Sequence, residues 1–201
     1  MTPLKRVFDL FVATVVAVLL LPVMVIVALV ILIRDGRPIL YVSQRMKTPD
    51  QPFNLIKFRT MTVQRNRSGV TGGDKAASFT RTGPMLRRTR LDELPQVFNV
   101  LKGDISFVGP RPPLKLYVER FPQIYRDVLR SRPGITGLAT VYFHAHEERL
   151  LEPCVDAEET DRVYARRCIP RKARLDLIYQ RKQSICFDIE IMIKTVFRRL
   201  R

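Results

Sequence analysis

Asp92 and Glu93 are adjacent carboxylates that follow Arg87, Arg88 and Arg90 in the run Leu86-Arg87-Arg88-Thr89-Arg90-Leu91-Asp92-Glu93-Leu94-Pro95-Gln96. Proline lacks a backbone N–H and is tolerated in a helix only in the first turn, so Pro95 places both acids at a helix N-terminus. There the helix dipole favours ionised carboxylates, and neighbouring guanidinium groups push the same way. An ionised aspartate can act as a nucleophile. A glutamate beside it can hold a hard divalent cation through oxygen. The same spacing also admits a structural account, because Thr89 with Asp92 three residues on resembles a capping box.

The surroundings favour chemistry. Lys57 and Arg59 lie upstream, Arg111 sits inside Gly109-Pro110-Arg111-Pro112, and Arg132 precedes Pro133-Gly134. An arginine between prolines loses little entropy when ordered and can fork onto a phosphate. A carboxylate pair among fixed cations suits phosphoryl transfer, where the protein mainly positions groups and neutralises charge. The candidate substrate- and phosphate-binding residues are Lys57, Arg59, Arg87, Arg88, Arg111 and Arg132. Asp92 and Glu93 are the candidate catalytic and metal-holding residues.

The whole chain is strongly cationic. Its 201 residues carry 35 Lys and Arg against 19 Asp and Glu, a formal net charge of +16, which calls for an anionic partner. Nucleic acid is not the expected one, since the chain has no Trp, no series of stacking aromatics and no recognisable binding module. Anionic lipid and phosphorylated small molecules remain. With 46% hydrophobic residues the chain can build one folded domain. Cys154, Cys168 and Cys186 fit neither a metal-ligand spacing nor an even disulfide framework, and read as thiols of a reducing compartment. His144 and His146 lack a third ligand nearby and read as part of a polar segment.

These groups must be positioned by a small set of elements. Residues 10–33 form an uncharged apolar run, long enough as a helix to cross a bilayer core of about 30 Å. It is too long for a signal peptide, and no small-residue cleavage site follows it. Lys5 and Arg6 flank it on one side and Arg34 and Arg37 on the other, although basic residues prefer the cytoplasmic face. Pro22 favours a kink near its middle. The run is therefore either a single span with a tolerated proline or a helix that bends at Pro22 and returns to the same face. Beyond it, Ile39-Leu40-Tyr41-Val42 and residues 53–58 alternate as a β-hairpin whose turn is 46–52. Residues 64–78, with Gly69, Gly72 and Gly73, read as a loop. Residues 85–101 read as one or two helices ending at Gly103. Residues 114–129 are helical with an interruption at Pro122, and 132–137 form a rigid turn. Ile185, Ile189, Met192, Ile193, Val196, Phe197 and Leu200 share one face of a basic amphipathic C-terminal helix, suited to covering the core or lying on an anionic membrane.

Several of these motifs together resemble the monotopic phosphoglycosyl transferases, the bacterial sugar transferase family. They are Lys5-Arg6-Val7-Phe8-Asp9, Lys57-Phe58-Arg59-Thr60-Met61, Leu91-Asp92-Glu93-Leu94-Pro95-Gln96, Asn99-Val100-Leu101-Lys102-Gly103-Asp104, Gly109-Pro110-Arg111-Pro112 and Arg132-Pro133-Gly134-Ile135-Thr136-Gly137. The resemblance implies transfer of a sugar 1-phosphate from a UDP-sugar to a polyprenol phosphate such as undecaprenyl phosphate, with release of UMP. It makes Asp92 the nucleophile of a covalent phosphosugar intermediate and links Glu93 to Mg2+. It associates Arg59, Arg87 and Arg111 with phosphate or nucleotide. It also implies the first membrane step of exopolysaccharide, O-antigen or glycoconjugate synthesis, at the cytoplasmic face of the bacterial inner membrane.

The fold implied is α+β, mainly α with a small β-hairpin. Residues 1–36 form a re-entrant membrane helix bent at Pro22, and residues 37–201 a cytosolic, membrane-associated catalytic domain with interfacial amphipathic helices. Three departures stand out: Arg90 where the family often has serine, Leu21 where it has serine before the membrane proline, and Leu138-Ala139-Thr140-Val141-Tyr142-Phe143-His144 after the Gly137 turn. They bear on sugar specificity and on local capping. The sequence leaves open the sugar and the oligomeric state, a homodimer included. A Mg2+-dependent phosphate-ester hydrolase and a non-catalytic membrane scaffold are the alternatives; the first would use water as acceptor, and the intact acid pair speaks against the second.

Overall fold

In the computed structural model, residues 2–62 and 78–197 are described. The loop expected over 64–78 falls, apart from Ser78, outside them, as does Leu200 of the C-terminal amphipathic pattern. Helix α1 (Pro3–Arg34) starts where Thr2 accepts the N–H of Lys5 at 3.3 Å and Pro3 occupies the first turn. It stops at Asp35 and Gly36, whose N–H groups both donate to the Ile31 carbonyl while Gly36 takes a positive φ. The helix runs through Pro22 as one 32-residue element, about 48 Å long. It is long and apolar enough to cross a membrane. Lys5, Asp9, Ala13, Met24, Val27 and Ile31 are buried. Val7, Phe11, Val18, Leu19, Ile26 and Ile33 lie exposed.

Both ends of α1 are tied to the rest of the chain. Near its start, Lys5 Nζ meets Asp188 Oδ2 at 2.5 Å, and the Arg6 guanidinium donates to the carbonyls of Val100 and Leu101 at 2.7 and 2.9 Å. Asp9 accepts the Ser106 hydroxyl at 2.7 Å. At its end, Asp35 accepts from the Thr82 hydroxyl.

Strands β1 (Leu40–Met46) and β2 (Pro52–Phe58) form an antiparallel hairpin pairing Tyr41 with Lys57, Ser43 with Leu55 and Arg45 with Phe53. Helix α2 (Gly83–Thr89), a 3-10 turn (Leu91–Glu93) and helix α3 (Gln96–Lys102) follow. Asn99 locks α3 to the hairpin, its Oδ1 accepting from Ile56 N–H and its Nδ2 donating to the Asn54 carbonyl. Strands β3 (Ser106–Val108) and β4 (Gly134–Thr136) pair in parallel. The sequence suggested only a rigid turn at β4. Its residues become a strand because Gly109 and Gly134 let the two Pro-rich segments touch backbone to backbone; a Cβ on Gly109 would lie 2.1 Å from the Arg132 carbonyl oxygen.

Helices α4 (Lys115–Arg120) and α5 (Pro122–Val128) break at Phe121, as Pro122 requires. Helices α6 (Leu138–Leu151) and α7 (Ala157–Val163), a π-helical turn (Tyr164–Cys168), α8 (Ile169–Lys182) and α9 (Ile185–Phe197) complete the chain. The described residues are thus mainly helical with two small sheets. One core joins α1 to Phe58, Leu86, Val100, Ile105, Val108, Tyr179 and Ile191. A second packs Tyr117, Tyr125, Phe143, Cys168 and Ile169 between α4, α5, α6 and α8. Helix α9 seats Ile191 in the first core and leaves Ile189, Ile193, Val196 and Phe197 exposed.

Candidate active site

The acid pair lies between α2 and α3. Helix α2 ends at Arg90, which adopts the left-handed conformation with φ 58°. That geometry is uncommon outside glycine and costs on the order of 1 kcal/mol. It turns the chain so that Glu93 N–H donates to the Arg90 carbonyl at 2.9 Å and Leu94 N–H to that of Leu91. Asp92 and Glu93 thus stand in a 3-10 turn before α3, not in the first turn of that helix, because Pro95 is the residue that precedes α3. Thr89 is not the cap of this turn. Its hydroxyl donates back to the carbonyls of Met85 and Leu86 at 2.9 and 3.2 Å, the usual behaviour of a threonine inside a helix.

Glu93 Oε1 gathers three cations: Lys57 Nζ at 2.9 Å, Arg111 at 3.3 Å and Arg90 at 3.5 Å. Burial alone would raise this carboxyl, but Lys57, Arg111 and Arg90 outweigh it and hold Glu93 well below the usual carboxylate range. Asp92 behaves differently. It is buried, and its Oδ1 has no hydrogen-bond partner. Burial and the adjacent Glu93 charge push its carboxyl up, against the pull of Lys57, Arg87 and Arg90. The shift at Asp92 thus runs opposite in direction to the one expected from dipole and arginines. Desolvation wins there, and Glu93 has already drawn the nearest cations to itself.

The other expected binding residues separate into two groups. Lys57 from β2, Arg87 from α2 and Arg111 after β3 surround the acid pair. Arg87 stacks over Phe79 at 5.1 Å, and burial lowers its pKa, with Asp92 the leading opposing charge. Burial also lowers Lys57, while Glu93 raises Arg111. Arg88 is exposed. Arg59 and Arg132 face other elements. The Arg59 guanidinium donates to the carbonyls of Asp35, Gly36 and Arg37 at 2.6, 2.9 and 3.2 Å, and so caps the end of α1. Arg132 lies beside Arg6, Asp9 and Asp104 at the start of α1.

Two cations were not singled out from the sequence. Arg90 counts in the sequence as one of the arginines flanking the acids and as a departure from the family, not as a binding residue. Arg45 lines a cleft with Leu55, Lys57, Gln96, Arg111, Pro112, Gly134 and Ile135. Its signal was available in the two-residue period of the hairpin, since residues 41, 43 and 45 share a face with 53, 55 and 57. Only the pairing register makes that visible.

The donor set fits a hard cation such as Mg2+. That ion takes one or two protein carboxylates and completes its shell with water and substrate phosphates. Asp92 offers a buried carboxylate oxygen without a hydrogen bond. Among the described residues there is no cluster of three or more acidic, His or Cys ligands that would make a closed protein cage.

Comparison with known proteins identifies the family. The chain is 34% identical over 199 residues to the UDP-glucose:undecaprenyl-phosphate glucose-1-phosphate transferase of Escherichia coli (strain K12), covering 97% of this chain and 40% of that protein. It is 32% identical to the UDP-N-acetylgalactosamine-undecaprenyl-phosphate N-acetylgalactosaminephosphotransferase of Aeromonas hydrophila, covering 96% and 43%. It is also 32% identical to the UDP-galactose-lipid carrier transferase of Erwinia amylovora, covering 96% and 39%. The chain thus spans about two fifths of the length of these relatives. The model of the bacterial sugar transferase family matches residues 1–201, and it is to this family that the chain belongs.

Proposed function

We propose that the chain transfers a sugar 1-phosphate from a UDP-sugar to a polyprenol phosphate such as undecaprenyl phosphate, as the first membrane step of a bacterial surface glycan. The observation that carries this reading is Asp92, a buried carboxylate with an oxygen free of hydrogen bonds, set among Lys57, Arg87 and Arg90. The names of the relatives supply the substrate class. An Asp92 oxygen attacks the β-phosphorus, and the bond from that phosphorus to the departing UMP oxygen breaks. An oxygen of the polyprenol phosphate then attacks the phosphorus of the aspartyl-phosphosugar, which returns the Asp92 carboxylate. Glu93 orders Lys57, Arg90 and Arg111 so that their charge is in place before substrate arrives, which lowers reorganisation in the reaction. Asp92 and Glu93 are the residues that would hold Mg2+, whose contribution when bound is to neutralise diphosphate charge.

The membrane arrangement proposed is re-entrant, with residues 1–36 dipping into the cytoplasmic leaflet and residues 37–201 on the cytoplasmic face. The ties at both ends of α1 support it. Lys5, Arg6 and Asp9 hold Asp188, α3 and Ser106, while Asp35 and Gly36 hold Thr82 and Arg59. Those partners share one packed body, which a straight crossing would have to divide between two sides of a bilayer. The exposed apolar face of α9 and the +16 charge suit the surface of an anionic membrane.

The full chain in nanodiscs, supplied with undecaprenyl phosphate, Mg2+ and a panel of UDP-sugars, is expected to release UMP with at least one sugar. Asp92→Asn is expected to abolish release. Silence across the panel, release that needs no lipid phosphate, or undiminished turnover by Asp92→Asn would each overturn the reading. For topology, single cysteines at positions 2 and 37 are expected to be labelled from the same side of the bilayer; labelling from opposite sides would restore a single span.

A further inference from the structure

The cleft beside the acid pair holds a cation with no evident duty. Arg45 lies on the inward face of β1, the face it shares with Leu55 and Lys57 of β2. The strand is held on both sides there, by its pairing with β2 and by the Met46 N–H, which donates to the Pro113 carbonyl at 3.0 Å. The side chain therefore enters the cleft from a rigid element and lines it together with Lys57, Arg111 and Gln96. Arg111 and Lys57 both lean on Glu93. Arg45 has no such acid: no ion pair joins it to a carboxylate among the described residues, and its Nε is enclosed without a hydrogen-bond partner.

A guanidinium in that position is costly. Arg45 is half-buried, and holding its charge there without an acid, with Nε enclosed and lacking a hydrogen bond, opposes folding. Desolvation and the like charge of Arg111 both press its pKa down. Tyr164, Tyr41 and Tyr117 lie near enough to act on it, but a neutral phenol does not cancel a charge. Such an arrangement is relieved when an anion enters the cleft, and the planar fork of arginine matches the oxygens of a phosphoryl group.

We propose that Arg45, with Lys57 and Arg111, forms a phosphoryl-binding subsite beside the acid pair, which takes the substrate phosphate that Asp92 does not attack. The proposal rests on the phosphoryl-transfer reading above and deepens it. Two phosphates meet that description, the α-phosphate of the nucleotide donor and the phosphate of the polyprenol acceptor. Their shared chemistry is a phosphate ester with anionic non-bridging oxygens. The donor end leaves as UMP, so UMP reports on it directly.

The test compares wild type, Arg45→Met and Arg45→Lys as full chains in nanodiscs. Inorganic pyrophosphate and UMP are titrated by calorimetry, and thermal midpoints are recorded without ligand. Arg45→Met is expected to weaken one or both probes about tenfold or more, the loss expected for a charge-assisted hydrogen bond. Arg45→Lys is expected to recover part of that loss. The midpoint of ligand-free Arg45→Met is expected to stay level or rise, since the substitution removes an unpartnered charge. A residue that serves only packing would move the midpoint down and leave the lysine variant no better than the methionine one; that result overturns the proposal. Unchanged probe affinity in Arg45→Met overturns it as well.

Steady-state kinetics then separates the sources. A raised KM for UDP-sugar with an unchanged KM for undecaprenyl phosphate assigns the subsite to the donor, the reverse assigns it to the acceptor, and no change in either excludes both. Pyrophosphate binding needs no turnover. A chain that bound the probes through Arg45 but released no UMP would refute the transferase reading and leave the subsite standing.

Discussion

Lys57 Nζ stands 2.9 Å from Glu93 Oε1, and this contact joins the hairpin to the turn that carries the acid pair. Residue 57 lies at the end of a strand and residue 93 in a 3-10 turn, so the ion pair fixes one element against the other. The side chains are 17% and 11% exposed, which leaves little water to screen them. Arg111 and Arg90 converge on the same oxygen. Glu93 is therefore the hub of the cluster and Lys57 one of its three spokes.

That asymmetry predicts unequal costs. Glu93→Gln removes the only carboxylate that these three cations share as an ion-pair partner among the described residues, and leaves them facing each other. Removing one partner of a buried pair costs about 3–5 kcal/mol, and Glu93→Gln is expected to approach that range. Lys57→Met leaves Glu93 with two guanidinium groups and is expected to cost clearly less. Urea unfolding of both variants and of the double variant would measure this. Lys57→Met proving the more damaging of the two would contradict the hub assignment.

Arg59 is predicted to act on α1 and not on phosphate. Its guanidinium holds three consecutive carbonyls, those of Asp35, Gly36 and Arg37. A lysine ammonium cannot reproduce that planar fork. Arg59→Lys and Arg59→Met are both expected to lower the thermal midpoint by several degrees and to open residues 34–39 to protease. The affinity for UMP is expected to stay within about twofold of wild type, well short of the loss a direct charged hydrogen bond would give. A selective loss of UMP affinity with an unchanged midpoint would place Arg59 in the phosphate site after all.

Asp176 carries a pH dependence. It is buried, and its Oδ1 has no hydrogen-bond partner. Burial pushes its carboxyl up to about 7, against the attraction of Lys172 and with the repulsion of Glu147. Between the ordinary aspartate value and about 7, the folded chain holds a proton that the unfolded chain has released. Stability therefore falls as pH rises through that window, and the penalty persists above it. Asp176→Asn is expected to raise the thermal midpoint at pH 8 and to change it little at pH 4. The gain at pH 8 is bounded at on the order of 4 kcal/mol by the size of the shift. An equal gain at both pH values would show packing, not ionisation, to be the cause.

Much of the scaffold could be read from local pattern. The hairpin followed from alternation, the break between α4 and α5 from Pro122, and α1 from an uncharged run of helical length. These features depend on neighbours two to four residues apart, so a linear reading captures them. The parallel pairing of β3 with β4 did not emerge that way. It joins Val108 to Thr136 across an intervening pair of helices, and it exists because two glycine-containing segments, distant in sequence, let their backbones meet.

The candidate site divides along the same line. By itself, the sequence determined which residues could do the chemistry: the Asp92–Glu93 pair, an excess of arginine and lysine, and an apolar helix long enough to cross a membrane. It could not determine which cations reach the pair. Lys57 and Arg59 sit two residues apart and share a side by strand period, yet β2 ends at Phe58, and the second guanidinium turns to the end of α1. Glu93 collects its partners from a strand, a helix end and a Pro-rich loop, while Asp92 keeps an oxygen without a hydrogen bond. Local spacing sets which face a side chain takes. Partnership between distant charges, and the burial that moves their pKa values apart, arises only when the chain folds back and excludes water from between them.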